Sequence, residues 1–223
     1  ADARPFETFH NSLNMKLTLR IATELHLKRL IVGGLPRVYE IGRIFRNEGL
    51  SARHNPEFTS IELYQAYADY NDMMRLTENL VASLAAQLRG GSMKIKCTRG
   101  NEEFIVDLTP PWRRVSMNDL VKEKYGLDVS SYLVGNDVEG CKRAARAAGV
   151  NSDIIRDLND VGDIMNALFE TIEGSLIQPT FVLHHPVSIS PLAKPHRQLP
   201  GLTERFELFV LGRELANAFS ELT

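Results

Sequence analysis

"RVYEIGRIFRNEGLSARHNPEFTSIELYQAY", residues 37–67, sets two apolar, strand-like runs on either side of a stretch crowded with charge and turn formers. The residues from Arg37 to Arg46 predict one strand, and "TSIELYQAY" predicts its return partner. Between them, Asn47 to Pro56 holds Gly, Asn and Pro, which predicts a long loop rather than a tight turn. Solvated hairpin loops are often charged, so charge alone says little, and the residue types say more. Arg46, at a strand end, presents a planar fork suited to a phosphate or carboxylate. Glu48, Arg53, His54 and Phe58 add a carboxylate, donors and a flat apolar face, the set that a purine nucleotide needs. Glu62 and Tyr64, two apart, share one face of the return strand, and an acid beside a phenol suits an ammonium group. Ile61, Leu63 and "AYADY" (66–70) make this strand read as central. A carboxylate buried there without a partner is costly, so a cationic partner is expected.

Outward from this stretch, Leu17, Leu19 and Ile21 alternate with Thr18 and Arg20 as in a half-buried strand. "TELHLKRLIVGG" (23–34) predicts a short helix with Thr23 as N-cap and Gly33–Gly34 as its stop. In "NDMMRLTENLVASLAAQL" (71–88), Met73, Leu76, Leu80, Leu84 and Leu88 fall on one helical face, expected to be core. "MKIKCT" and "EEFIVDLT" predict a hairpin around Arg99–Gly100. Residues 116–174 turn helical and more polar, which reads as a small helical insertion. "PTFVLHHPVSIS" then returns to strand chemistry, "PLAKPHRQLPG" is a Pro-rich loop, and "RFELFVLGRELANAFSEL" is strand again. Strands, helices and strands in that order predict an α+β fold with a largely antiparallel sheet flanked by helices.

Glu207 and Glu214 form a second carboxylate pair. If the chain turns near Val210–Gly212, both acids fall on one face of a hairpin. Like charges so placed repel unless a cation intervenes, and Mg²⁺ bridging phosphates is the usual one.

At 43% hydrophobic and 24% charged residues, the 223-residue chain has ordinary globular composition. A net charge of -2 gives no support for nonspecific polyanion binding. Nothing approaches the roughly 18 consecutive apolar residues of a membrane span. The start "ADARPFETFHNSLN" has neither a signal pattern nor an initiator Met and reads as a chain entered midway. Cys97 and Cys141 lack metal-ligand spacing, and a reducing compartment is expected.

"RVYEIGRIFRNEGLSARHNPEFTSIELYQAYADY" resembles the second signature motif of class II aminoacyl-tRNA synthetases, in its lysyl form. "ARPFETFHNSLNMKLTLRIATELHLKRLIVGG" and "SPLAKPHRQLPGLTERFELFVLGRELANAFSELT" are similar to the same family's flanking segments. The resemblance covers essentially the whole chain, 1–223, as part of a catalytic domain with its helical insertion at about 116–174. It implies that Arg46 contacts the ATP α-phosphate and the lysine carboxylate. By the same resemblance Glu48 and His54 serve the nucleotide, Phe58 stacks on adenine, and Glu207 and Glu214 hold Mg²⁺ on the triphosphate. Glu24 is implied to bind the lysine α-ammonium, with Glu62, Tyr64 and Glu221 around the ε-ammonium and Asn217 and Phe219 completing that wall. The implied reaction is lysine–tRNA ligation: lysine and ATP give lysyl-adenylate, and the 3′ end of tRNA(Lys) accepts the lysyl group. A homodimer acting in the cytoplasm, or alternatively in a plastid or mitochondrion, is implied for the full-length protein.

Thr23 departs from the proline usual at that position, with capping by Thr as the expected substitute. The family's first motif, its third motif and its anticodon-binding domain are expected to lie outside these residues, leaving the isolated chain inactive. The rival readings are a paralogue that lysylates a protein and a lysine-sensing module without catalysis. Strict alternation from Glu214 puts Asn217, Phe219 and Glu221 on the opposite side of the sheet. A β-bulge at about Leu215–Ala216 is therefore expected, turning Glu214 and Glu221 toward one cleft with Arg46 and Glu62.

Overall fold

The computed structural model describes residues 3–49, 51 and 54–222, so Arg53 lies outside the described residues. The chain divides into two compact units, Ala1–Tyr67 and Ala68–Thr223.

The first unit holds β1 (Glu7–His10), β2 (Met15–Thr18), α1 (Glu24–Val32), β3 (Arg37–Phe45) and β4 (Glu57–Gln65). β1 pairs with β2 and β3 with β4, both antiparallel. The strand expected through Ile21 stops at Thr18, and its residues are exposed rather than half-buried. Thr23 does sit at the N-cap of α1, but its side chain makes no capping bond. Its backbone N–H instead donates to Glu62 Oε1 at 3.3 Å. Among the described residues β4 has β3 as its only strand neighbour, so it is not central. The side chains of Tyr39, Ile41 and Ile61 are exposed on one face of this hairpin. The opposite face packs, with Ile44 buried. Apolar alternation reports which face needs cover but not what covers it.

The second unit holds α2 (Tyr70–Leu88), β5 (Lys94–Arg99), β6 (Glu102–Asp107), β7 (Arg113–Ser116), α3 (Met117–Tyr125), α4 (Ser130–Leu133), α5 (Val138–Ala147), α6 (Ser152–Ile155), α7 (Val161–Glu173), β8 (Thr180–Leu183), β9 (Arg205–Val210) and β10 (Arg213–Phe219). Its main sheet has the order β10-β9-β8-β7, antiparallel except for the parallel pair β7–β8. A parallel pair needs a long crossover, and here α3 to α7 supply it. The apolar faces of those helices share one core with Val115, Val182 and Phe209 of the sheet. Phe181 meets Phe206 edge-to-face at 5.1 Å, and Phe169 meets Phe209 at 5.3 Å. Each such ring, fully buried, contributes on the order of 2–3 kcal/mol.

α2 starts at Asp69, which forms a capping box with Asp72. Its packed face is not the leucine stripe. Met73, Met74, Ala82 and Ala85 are buried, whereas Leu76, Leu80, Leu84 and Leu88 are exposed, Leu88 at 81%. The alanines offer a small-residue surface for close packing, and periodicity alone cannot choose between two apolar stripes on one helix. No helix among the described residues is long and apolar enough to cross a membrane.

Candidate functional site

In the first unit the β3–β4 register aligns Val38 with Tyr64, Glu40 with Glu62, Gly42 with Ser60, and Ile44 with Phe58. Phe58, Glu62 and Tyr64 therefore share one face, with Phe58 and Glu62 separated by roughly 13 Å of extended chain. At the Phe58 end, the Arg46 guanidinium lies 5.3 Å from the ring centroid, and its Nε donates to Ile21 O at 3.3 Å. Arg46 N donates to Pro56 O at 2.9 Å, closing the base of the loop between the strands. Inside that loop Glu48 is exposed. Ser51 Oγ and His54 Nδ1 are 2.9 Å apart, and His54 N donates to Ser51 Oγ at 3.1 Å. Arg46 and Phe58 are thus brought together.

At the other end, Glu62 is held by one oxygen only. Oε1 accepts from the Thr23 N–H, while Oε2 is buried with no hydrogen-bond partner among the described residues. A carboxylate oxygen without a partner in that position is an electrostatic demand for a donor. Glu24, in the first turn of α1, takes the ammonium of Lys28 one turn on, and that ammonium lies 5.8 Å from the Tyr64 ring centroid. Gly42 gives room for Arg20 to lie across β3. A Cβ at Gly42 would clash with Arg20 Nη2. Arg20 donates to Glu40 Oε1 and to Arg43 O, and so holds the like charge across from Glu62.

In the second unit, β9 and β10 turn at Leu211 and Gly212, whose φ values are both positive (55° and 69°). This places the turn at 211–212, within the expected Val210–Gly212 stretch. The expected bulge is present: the register shifts between Glu214 and Ala216, leaving Leu215 as the extra residue. Glu214 pairs with Phe209, Asn217 with Glu207 and Phe219 with Arg205, so all of these share a face. Past the regular strand, Glu221 bridges to Ala193.

Arg205 organises this face. Its Nε donates to Asn217 Oδ1 at 3.1 Å and its Nη2 to Glu207 Oε1 at 2.6 Å. Its Nη1 is held by Ile189 O at 3.0 Å and Ser190 Oγ at 2.9 Å. Glu207 and Glu214 line a cleft of about 300 Å³ together with Arg205 and, from α7, Asn166, Glu170 and Glu173. Burial pushes the Glu207 carboxyl up to about 7, with the Glu214 carboxylate adding to the shift and Arg205 opposing it. Sequence reading missed Arg205, although it stands two residues before Glu207 and must share its face. It also missed the α7 residues, although 166, 170 and 173 have the spacing of one helical face.

A family model described as tRNA synthetases class II (D, K and N) matches residues 1–223. The chain belongs to the class II tRNA synthetases. Within the family it is 60% identical over 224 residues to the lysine–tRNA ligase of Trichormus variabilis, and 60% identical to that of a Nostoc species. Each alignment covers 100% of this chain and 38% of the relative. With the lysine–tRNA ligase of Thermosynechococcus vestitus the identity is 58%, over 42% of that protein. The chain therefore spans about two fifths of the length of the curated relatives it matches.

Proposed function

We propose that the protein carrying this chain is a lysine–tRNA ligase, and that residues 1–223 are part of its catalytic domain. The observation that carries the reading is Glu62, whose buried Oε2 has no hydrogen-bond partner among the described residues, on the same strand face as Tyr64. An ε-ammonium supplies that donor, and an uncharged side chain of similar length would leave the acid unpaired. The names of the similar proteins support the same substrate.

In this reading the lysine carboxylate attacks the α-phosphorus of ATP. A new P–O bond forms, the bond to the β-phosphate bridging oxygen breaks, and pyrophosphate leaves. A 3′-terminal ribose hydroxyl of tRNA(Lys) then takes the lysyl group and releases AMP. No protein nucleophile is needed, so catalysis rests on positioning and charge. Arg46 holds attacker and target with one fork, and Phe58 offers a ring to adenine. Glu207 and Glu214 are hard oxygen donors on one face, a pair that fits Mg²⁺. No group of three or more His, Cys, Asp or Glu among the described residues forms a metal cage by itself. A two-carboxylate site matches the way Mg²⁺ is bound jointly by protein and substrate phosphates. The chemistry that ion supplies when bound is neutralisation of phosphate charge.

The test is lysine-dependent ATP–pyrophosphate exchange by the full-length protein, followed by charging of tRNA(Lys). Exchange with lysine and transfer to tRNA are expected. Exchange with transfer only to a protein acceptor would support the paralogue reading, and lysine binding without exchange would support a sensor.

A further inference from the structure

We propose that Lys28 is an internal competitor for the ammonium seat at Glu24, and that it sets how strongly the site selects for an α-amino group; this rests on the lysine reading above. A Glu–Lys pair one helical turn apart is ordinarily a solvated surface pair. This one is more enclosed. Its side chains are 31% and 26% exposed, against 65% and 61% for Lys16–Glu7 and 64% and 51% for Arg43–Glu57 in the same unit. The Lys28 ammonium also lies 5.8 Å from the centroid of Tyr64, which shares a strand face with Glu62. The region thus contains two acidic seats in different states. Glu24 already holds an ammonium from the chain, whereas Glu62 Oε2 has no donor among the described residues.

Free lysine brings two ammonium groups to these seats. Its ε-ammonium meets an acid oxygen in need of a donor and gains the full interaction. Its α-ammonium meets an acid whose Oε1 already accepts from Lys28 Nζ, so at that oxygen it exchanges with Lys28 Nζ, one ammonium for another. Such an exchange gains little, because the new charge-assisted bond replaces an equivalent one. Lys28 therefore lowers the affinity for lysine. It also keeps Glu24 compensated when a ligand without an α-amino group enters. Removing the Lys28 charge leaves Glu24 Oε1 open to the α-ammonium.

The experiment uses the full-length protein and isothermal calorimetry with L-lysine and with 6-aminohexanoate, which keeps the carboxylate and ε-ammonium but lacks the α-amino group. In Lys28→Met the affinity for L-lysine is expected to rise roughly tenfold, the scale of one charge-assisted bond. The affinity for 6-aminohexanoate is expected to stay level or fall, so the ratio of the two affinities widens by at least that factor. Lys28→Arg should keep the wild-type ratio. A second readout is amine labelling of Lys28 followed by mass spectrometry. L-lysine should raise its reactivity and 6-aminohexanoate should not. An unchanged affinity ratio in Lys28→Met, or equal labelling with both ligands, overturns the proposal while the lysine reading stands. Failure of the wild type to bind L-lysine at all overturns both.

Discussion

Asn217 is the direct cross-strand partner of Glu207, and Arg205 donates to both side chains. The pairing exists only because Leu215 is an extra residue in β10. Were Leu215 paired with Leu208 in an unbulged strand, Ala216 would stand against Glu207, and Asn217 and Phe219 would turn to the other face. Inserting one alanine between Ala216 and Asn217 should therefore weaken L-lysine binding by the full-length protein roughly tenfold or more, since Asn217, Phe219 and Glu221 all change side, whereas deleting Leu215 should keep them on the side of Glu214. Calorimetry, with circular dichroism as a check on folding, measures it. Wild-type affinity in a folded insertion variant would remove these residues from the proposed lysine site.

Arg46 lies over Phe58 at the loop end of the β3–β4 face. Arg46→Ala in the full-length protein should reduce lysine-dependent pyrophosphate exchange on the order of 10² or more, with a smaller loss in lysine affinity. Arg46→Lys should recover little, because an ammonium cannot form the bidentate fork. A variant with near-normal exchange would move the α-phosphate contact to another residue.

Glu207 predicts an unusual pH dependence for the metal-free chain. Burial raises its folded carboxyl from the ordinary 4.5 to about 7. Between those values the folded state holds a proton that the unfolded chain releases, so this group costs stability as pH rises from about 4.5 through 7. Glu207→Gln carries no such cost. Its Tm should gain on the wild type as pH rises from 5 to about 8, and Mg²⁺ with ATP should close the gap by stabilising the wild type. Scanning calorimetry of both proteins across this range decides it, and a constant difference in Tm counts against the shift.

The Arg197–Glu204 pair has the opposite sign. Glu204 is fully buried, and Arg197 takes both of its oxygens while also donating to Asp69, the N-cap of α2. The Arg197 hydrogen bonds hold the Glu204 carboxyl down at about 2, against an ordinary 4.5. This stability is present above about 4.5 and is lost as pH falls through 2. Glu204→Gln should have a lower Tm than the wild type at pH 7, with the two converging as pH falls toward 2. A difference that persists at low pH would mean the pair acts by packing and not by charge.

Local rules made the β9–β10 hairpin legible, because charged residues fix the phase of a strand and small Ala216 marks where that phase slips. The β3–β4 hairpin was equally open, since its loop and its two strands are contiguous in the chain. Non-local features escaped the same reasoning. Strand β7 finds its parallel partner β8 only across five helices, and nothing within Arg113–Ser116 announces that pairing. On α2 the leucines carry the stronger apolar periodicity, yet Met74, Ala82 and Ala85 take the packed side. Hydrophobicity ranks the stripes by size, and close approach favours the one with small residues. Arg205 was overlooked because an arginine among acids reads as a counter-charge, whereas here four bonds from one guanidinium set the positions of Asn217 and Glu207.

The turn joining β9 and β10 is fastened from outside the hairpin. Leu211 N donates to Ile177 O at 2.9 Å and Gly212 N to Leu176 O at 2.8 Å. Arg99, at the tip of the β5–β6 hairpin, donates to Gly174 O at 2.6 Å and to Leu211 O at 3.4 Å. Amides at a hairpin tip ordinarily exchange with solvent as quickly as a frayed end. Here the Leu211 and Gly212 amides should exchange only when the segment 174–177 detaches, so their deuterium uptake should follow the helix-and-sheet core. Arg99→Ala should speed uptake at these two positions ahead of the core. The hydrogen-exchange map would then show a tip as slow as the strands it joins, with the spacing between Glu207 and Glu214 kept by residues remote in sequence.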